Sequence, residues 1–180
     1  MKATGVVRRI DDLGRIVIPK EIRKTLRIKE GTPLEIFTEK EGDIVLKKYS
    51  PIGELTNFST EYVECISKIM NYITIVTDKD SVIAISGTSK KDLLEEPISE
   101  KLEKIIDDRK SLLLSSKDFI QITKTSNLEN ACEIIVPIIS FSELIGSIIL
   151  IPKDKAVKFS DSDLNLAKVA ATFLGSQMEI

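Results

Sequence analysis

The chain has 180 residues, 42% of them hydrophobic and 30% charged, with a formal net charge of −2. That balance belongs to a folded globular protein of one or two domains and excludes a disordered or fibrous chain. No apolar run approaches the roughly 20 residues that span a bilayer and no signal-peptide core opens the sequence, so a cytoplasmic protein without membrane contact is expected.

Taken in order, Thr4 to Ile10 alternates apolar and basic residues as a strand does. Gly14 supplies the positive φ of a tight hairpin after the polar pair Asp11-Asp12, and Ile16-Val17-Ile18 is β-branched throughout, as in a buried strand. Pro19 ends that strand and suits a helix start, so Lys20 to Arg27 is expected as two helical turns with Ile22 and Leu26 on one face. Lys20, Arg23, Lys24 and Arg27 follow the 0, 3, 4, 7 spacing and form a positive stripe on the other face. Arg15 stands at the mouth of the hairpin, with Arg8 and Arg9 on the strand before it. A turn at Glu30 to Pro33, strands at Leu34 to Thr38 and Ile44 to Lys48, and a loop at Glu39 to Asp43 complete a ββαββ order.

Two properties of this short unit matter. Residues 1–29 hold nine Lys or Arg, beginning with Lys2, against three acids; residues 1–50 carry +4 and the remainder −6. A basic end segregated from an acidic remainder is the electrostatic footprint of a nucleic-acid-binding module. The unit also carries Val6, Ile10, Leu13, Ile16, Ile18, Ile22, Leu26, Leu34, Ile36, Ile44 and Leu46, more apolar side chains than fifty residues readily cover, so dimerisation is expected.

The run from Lys2 through Val6-Val-Arg-Arg-Ile-Asp-Asp-Leu-Gly-Arg-Ile-Val-Ile-Pro-Lys-Glu-Ile-Arg-Lys-Thr-Leu26, continuing through Leu34-Glu-Ile-Phe and Ile44 to Pro51, resembles the DNA-binding domain of AbrB-type transition-state regulators. With its longer C-terminal part the whole chain is similar to a sporulation-stage transcription factor of that group. The resemblance implies a swapped-hairpin dimer with double-stranded DNA as partner, contacted chiefly by residues matching Arg8, Arg15, Arg23 and Lys24. Lys24 is commonly arginine in that pattern, so here it acts as a point charge. Arg9, Lys20, Arg27 and Lys2 join the candidate set by charge. Neutralising about six to eight phosphates gives a log K against log salt slope of roughly −5 to −7. Residues 1–50 contain no Asn or Gln, which leaves arginine on guanine edges, or DNA shape, to carry specificity.

Turn residues Ser50-Pro51-Ile52-Gly53 mark the expected boundary, giving domains of 1–51 and 54–180. Glu54 to Asn71 is expected as a helix whose Leu55, Phe58, Tyr62, Cys65 and Ile69 fall on a and d positions, either a core-facing stripe or a dimer seam. Strands are expected at Tyr72 to Asp78, Val82 to Ser86, Ser111 to Leu114, Phe119 to Ile122, Cys132 to Ile139 and Leu144 to Ile151. Helices are expected at Glu100 to Arg109 and from a Ser160 cap, paired with Asp163, to Met178, with Leu164, Ala167, Ala171, Leu174 and Met178 on one face. Cys65 and Cys132 each sit in an apolar pattern and read as reduced core thiols.

This order resembles the GAF family of small-molecule sensor domains, and so implies an α+β protein whose second domain holds an antiparallel sheet with flanking helices. Gly87-Thr-Ser-Lys90 has the residues of an anion cradle without P-loop spacing and reads more simply as a strand-to-helix loop. A thiol enzyme acting through Cys132 finds no histidine to activate it. The reading is therefore a non-enzymatic transcriptional regulator, activator and repressor, with no metal and no cofactor beyond an unidentified ligand of the GAF-like domain. Pairing through the first domain and a homotetramer through the C-terminal helices are expected. An antitoxin-like interaction module on the same N-terminal fold is the alternative.

Overall fold

The computed structural model describes residues 5–39, 42–50, 52, 56–89, 93–126, 128 and 132–178, in two units, Met1–Tyr49 and Ser50–Ile180. In the first unit, helix α1 spans Lys20–Thr25, and strands β1 (Leu34–Thr38) and β2 (Ile44–Lys48) pair antiparallel, Ile36 opposite Leu46. The hairpin turn forms as expected, with Gly14 at φ +75°. The strands expected on either side of it do not: residues 5–10 and 16–18 pair with no strand among the described residues. Thr4 lies outside the described residues. A strand needs a neighbouring strand to take its N–H and C=O groups, and among the described residues no strand lies in register with these segments.

The end of α1 also differs from expectation. Thr25 is its last residue, and Arg27 takes a left-handed φ of 52° while the Ile28 N–H donates to the Arg23 carbonyl at 2.8 Å. This is a left-handed cap in which arginine replaces the usual glycine. Arg27 therefore leaves the stripe, and Lys20, Arg23 and Lys24 remain as its helical members.

The second unit is built around a five-stranded sheet, wholly antiparallel, in the order β4-β3-β7-β6-β5. These strands are β3 (Tyr72–Thr77), β4 (Val82–Ser86), β5 (Leu112–Ser115), β6 (Cys132–Ser140) and β7 (Glu143–Pro152). Helices α2 (Thr56–Met70) and α4 (Asp161–Ser176) cover one face, where Val63 and Ile66 meet Val136, Ile148, Leu150, Ala167 and Leu174. Helix α3 (Glu100–Asp107) and the 119–123 segment cover the other, where Leu102, Ile106, Ile120 and Ile122 meet Ile135, Ile149 and Ile151. Successive β7 residues thus enter opposite cores, which explains why strands in the middle of the sheet read as unbroken apolar runs.

Local chemistry secures the ends. Asp163 Oδ2 accepts from the Ser160 N–H and Oγ, both at 2.7 Å, and Asp163 Oδ1 accepts the Tyr72 hydroxyl at 2.7 Å, tying the expected α4 cap to the sheet. Gly175 lets α4 approach β6 closely, since a Cβ there would lie 2.2 Å from the Ile139 carbonyl oxygen.

Three expectations about side chains and strands are corrected. On α2 the inward residues are Ser59, Val63, Ile66 and Ser67, while Phe58 and Tyr62 are half-buried, Cys65 is exposed and Ile69 is 80% exposed. The a and d stripe is thus not the core-facing one, and Cys65 is no core thiol; Leu55 lies outside the described residues. Cys132 is buried as expected. Phe119 to Ile122 is not a strand: it crosses the α3 face, held by Ser99, whose N–H donates to the Ile122 carbonyl at 2.7 Å and whose Oγ donates to the Gln121 carbonyl at 2.6 Å.

That segment is also anchored by Glu133, fully buried on β6, whose Oε1 accepts the Ile120 N–H while Oε2 has no hydrogen-bond partner. Burial pushes the carboxyl up to about 7, against the smaller opposing effects of the Ile120 bond and of Lys101. The folded state holds the proton that the unfolded chain releases near 4.5, so stability from this group is full below about pH 4.5 and is lost as pH rises to about 7. Denaturant titrations of the native protein and Glu133→Gln should show the native protein losing of order 3 kcal/mol relative to the variant across that window. A stability difference independent of pH would contradict the buried, protonated state.

Candidate nucleic-acid interface

The first unit has an unusual burial profile. None of its described residues is buried; Val7, Ile10, Leu13, Ile16 and Val17 are among its exposed large apolar side chains. Arg8, Arg9, Arg15, Lys20, Arg23 and Lys24 are exposed on the same elements. Arg8 and Arg9 lie in the extended segment before the turn, Arg15 closes the turn, and α1 puts Lys20, Arg23 and Lys24 on one face through i, i+3, i+4 spacing. Arg27 sits in the left-handed cap, and Lys2 lies outside the described residues.

The turn itself is built by Asp11. Its backbone N–H donates to the Arg15 carbonyl at 3.1 Å, and its carbonyl accepts from Gly14 at 3.0 Å. Its Oδ1 accepts the Leu13 N–H at 3.0 Å and the Arg15 N–H at 2.7 Å, and its Oδ2 accepts from Arg15 Nε at 2.8 Å. The Arg15 backbone N–H first, and its guanidinium second, hold the Asp11 carboxyl below its ordinary range. Sequence reasoning treated Asp11 only as a turn residue. The available signal was Asp at the first and Gly at the fourth position of a β-turn, with arginine next.

In the second unit the candidates for small-molecule chemistry are sparse. Lys90 of the Gly87-Thr-Ser-Lys90 loop lies outside the described residues. Among the described residues, no group of three His, Cys, Asp or Glu side chains could hold a metal, and no helix is long and apolar enough to cross a membrane. Cys132 Sγ donates to the Val157 carbonyl at 3.5 Å, a contact with no base in it.

The second unit does present an apolar outer face. Phe58 and Tyr62 of α2 stack at 6.2 Å between centroids, and Phe173 of α4 lies 5.7 and 5.4 Å from them. Ile69 and Val169, 80% and 65% exposed, extend this surface along the two helices.

An exposed basic hairpin and helix, in a chain that also carries a GAF-like antiparallel sheet with flanking helices, define a regulatory protein of α+β type with an AbrB-like N-terminal domain. Comparison with known proteins gives the particular kind. The family model for the C-terminal region of stage V sporulation protein T, a transcription factor, matches residues 54–179, and that for the bacterial antitoxin MazE, antidote-toxin recognition, matches residues 7–54. Stage V sporulation protein T of Bacillus subtilis (strain 168) is 45% identical over 179 residues, 99% of each chain. Transition state regulatory protein AbrB of the same organism is 57% identical over 51 residues, 28% of this chain and 52% of that one. The cofactor-binding GAF domain of the nutrient sensor CodY from Clostridium difficile superposes with a TM-score of 0.50 at 17% identity, over 66% of this chain and 83% of that one. The chain belongs to the stage V sporulation protein T family of transcription factors and is a regulator of sporulation transcription.

Proposed function

We propose that two copies of the chain pair through residues 5–49 by exchanging hairpins, and that the paired unit binds double-stranded DNA. The observation that carries this reading is the coincidence, in one unit, of cations on three successive elements with an apolar set that the chain leaves uncovered. A second copy would supply both the missing strand partners and the apolar cover, and a two-fold axis would double Arg8, Arg9, Arg15, Lys20, Arg23 and Lys24 into one positive surface. Lys2 and Arg27 add to the same positive end of the chain. Phosphate contacts supply most of the affinity, and arginine the base readout.

The second unit, on this reading, joins dimers into a homotetramer through the outer face of α2 and α4. The Phe58, Tyr62 and Phe173 rings with Ile69 and Val169 are what such a seam requires: aromatic anchors ringed by aliphatic side chains. A ligand of this GAF-like unit alters DNA binding only by preferring one assembly geometry over another. The regulator works in the cytoplasm, activating some promoters and repressing others, and performs no catalysis. The similarity of residues 7–54 to MazE favours an antitoxin as the second reading. Against it stands the C-terminal unit, folded around two apolar clusters where a toxin-wrapping tail would need to be unfolded.

Binding measured across salt should give a slope of roughly −5 to −7 for the native protein, with Arg15→Ala and Arg23→Ala each weaker and shallower by about 1 to 2. Unchanged affinity and slope would remove the substituted residue from the contact set. Light scattering should return four times the 20.1 kDa chain mass. Ile69→Lys, which sets like charges across the seam, should halve that mass; a native protein of twice the chain mass would refute the seam.

A further inference from the structure

Arg15 is restrained by the same carboxylate that builds the turn. Asp11 divides its carboxylate between two tasks: Oδ1 takes the Leu13 and Arg15 N–H groups and fixes the turn, while Oδ2 takes Arg15 Nε at 2.8 Å. A guanidinium gripped by its Nε edge keeps its two terminal nitrogens as a planar fork. Among the described residues no hydrogen bond reaches either Nη of Arg15, whereas Arg8 donates an Nη1 bond to the neighbouring Val7 carbonyl at 3.2 Å. The side chains of Arg15 and Asp11 are 69% and 38% exposed, so the pair contributes little to folding. Its consequence is geometric: a long, rotamer-rich side chain is held on one bearing before any ligand arrives.

We propose that Asp11 is a positioning residue for DNA recognition, holding Arg15 by Nε so that its Nη fork meets paired acceptor oxygens or nitrogens of the duplex already aimed. The inference rests on the reading of Arg15 as a DNA contact. Its ligand chemistry is two adjacent acceptors, the O6 and N7 of a guanine or two oxygens of one phosphate. The proposal inverts the ordinary electrostatic expectation. Asp11 is a negative charge beside a polyanion, and removing it should strengthen binding to every duplex if charge alone mattered.

Asp11→Asn separates the two effects. The asparagine carbonyl still accepts the Leu13 and Arg15 N–H groups, so the turn persists, but its Nδ2 cannot accept from Arg15 Nε. The full-length native protein, Asp11→Asn, Arg15→Ala and the double variant are titrated against a duplex selected by the native protein from a random pool, and against its shuffled sequence. Asp11→Asn should bind the selected duplex about three- to tenfold more weakly, the cost of ordering one free arginine on binding. In the Arg15→Ala background the same change should leave affinity unchanged or raise it. A loss confined to the selected duplex assigns the fork to a guanine edge, and an equal loss on both duplexes assigns it to phosphate. Equal or tighter binding by Asp11→Asn while Arg15→Ala weakens binding would overturn the proposal, as would the same loss in both backgrounds, which marks damage to the turn. Unchanged binding by Arg15→Ala would instead overturn the DNA-contact reading, and this inference with it.

Discussion

The first unit of this protein is governed by a shortage of cover. Fifty residues carrying a strongly apolar inner face leave none of their described side chains buried, with Ile36 65% and Ile44 66% exposed on the one small sheet. Exposed apolar surface on this scale costs about 25 cal/mol for each Å² that could be covered and is not. On the proposed reading, a second copy of the chain, carrying the same surplus and the same strand segments, would meet both needs at once, and isologous pairing would follow from self-complementarity. DNA binding would then inherit its geometry from that pairing, because the cations lie on the same segments as the uncovered apolar side chains.

The C-terminal unit solves the opposite problem. Its sheet is covered on both faces, and its apolar runs Ile134 to Ile139 and Ile145 to Ile151 are almost wholly buried within one chain. Among the apolar side chains it leaves outside, Ile69, Val169 and Phe173 lie on α2 and α4, where Phe173 contacts the half-buried Phe58 and Tyr62 rings. On the proposed reading this acidic domain would serve as a platform that fixes the spacing of DNA-binding pairs, its net negative charge being unfavourable beside a duplex. The buried Glu133 carboxyl is a charged-type side chain retained half-satisfied in this core, at the anchor of the segment crossing α3.

Much of this was legible in the residues because the strongest signals were redundant. The Gly14 turn, the strands at Leu34, Ile44, Tyr72, Val82, Cys132 and Leu144 and the Ser160 to Asp163 cap formed where the residues pointed, whereas the alternation of Thr4 to Ile10 and the β-branching of Ile16 to Ile18 gave no strand among the described residues; the cations of 8, 9, 15, 20, 23 and 24 are all exposed. The departures have identifiable causes. Arg27 closes α1 in a left-handed cap without a glycine, so nothing in the composition marked the end of the helix. Phe119 to Ile122 has strand composition but finds its partners in Ser99 and Glu133, contacts made across the fold. On α2 two apolar stripes interleave, and periodicity alone could not say that Val63 and Ile66 would face inward, Phe58 and Tyr62 lie half-buried at the edge of the core and Ile69 stand exposed. The double role of Asp11 was hidden because a turn-forming aspartate and an arginine-holding one look alike in sequence.

Amide hydrogen exchange on the full-length protein at micromolar concentration tests the central pairing most directly. The Val7, Arg9, Ile16 and Val17 amides donate to no backbone acceptor among the described residues of their own chain. Pairing by hairpin exchange predicts that they are protected as strongly as those of β1 and β2, since only another copy can supply the carbonyls. Exchange at the rate of an unstructured peptide would contradict the account.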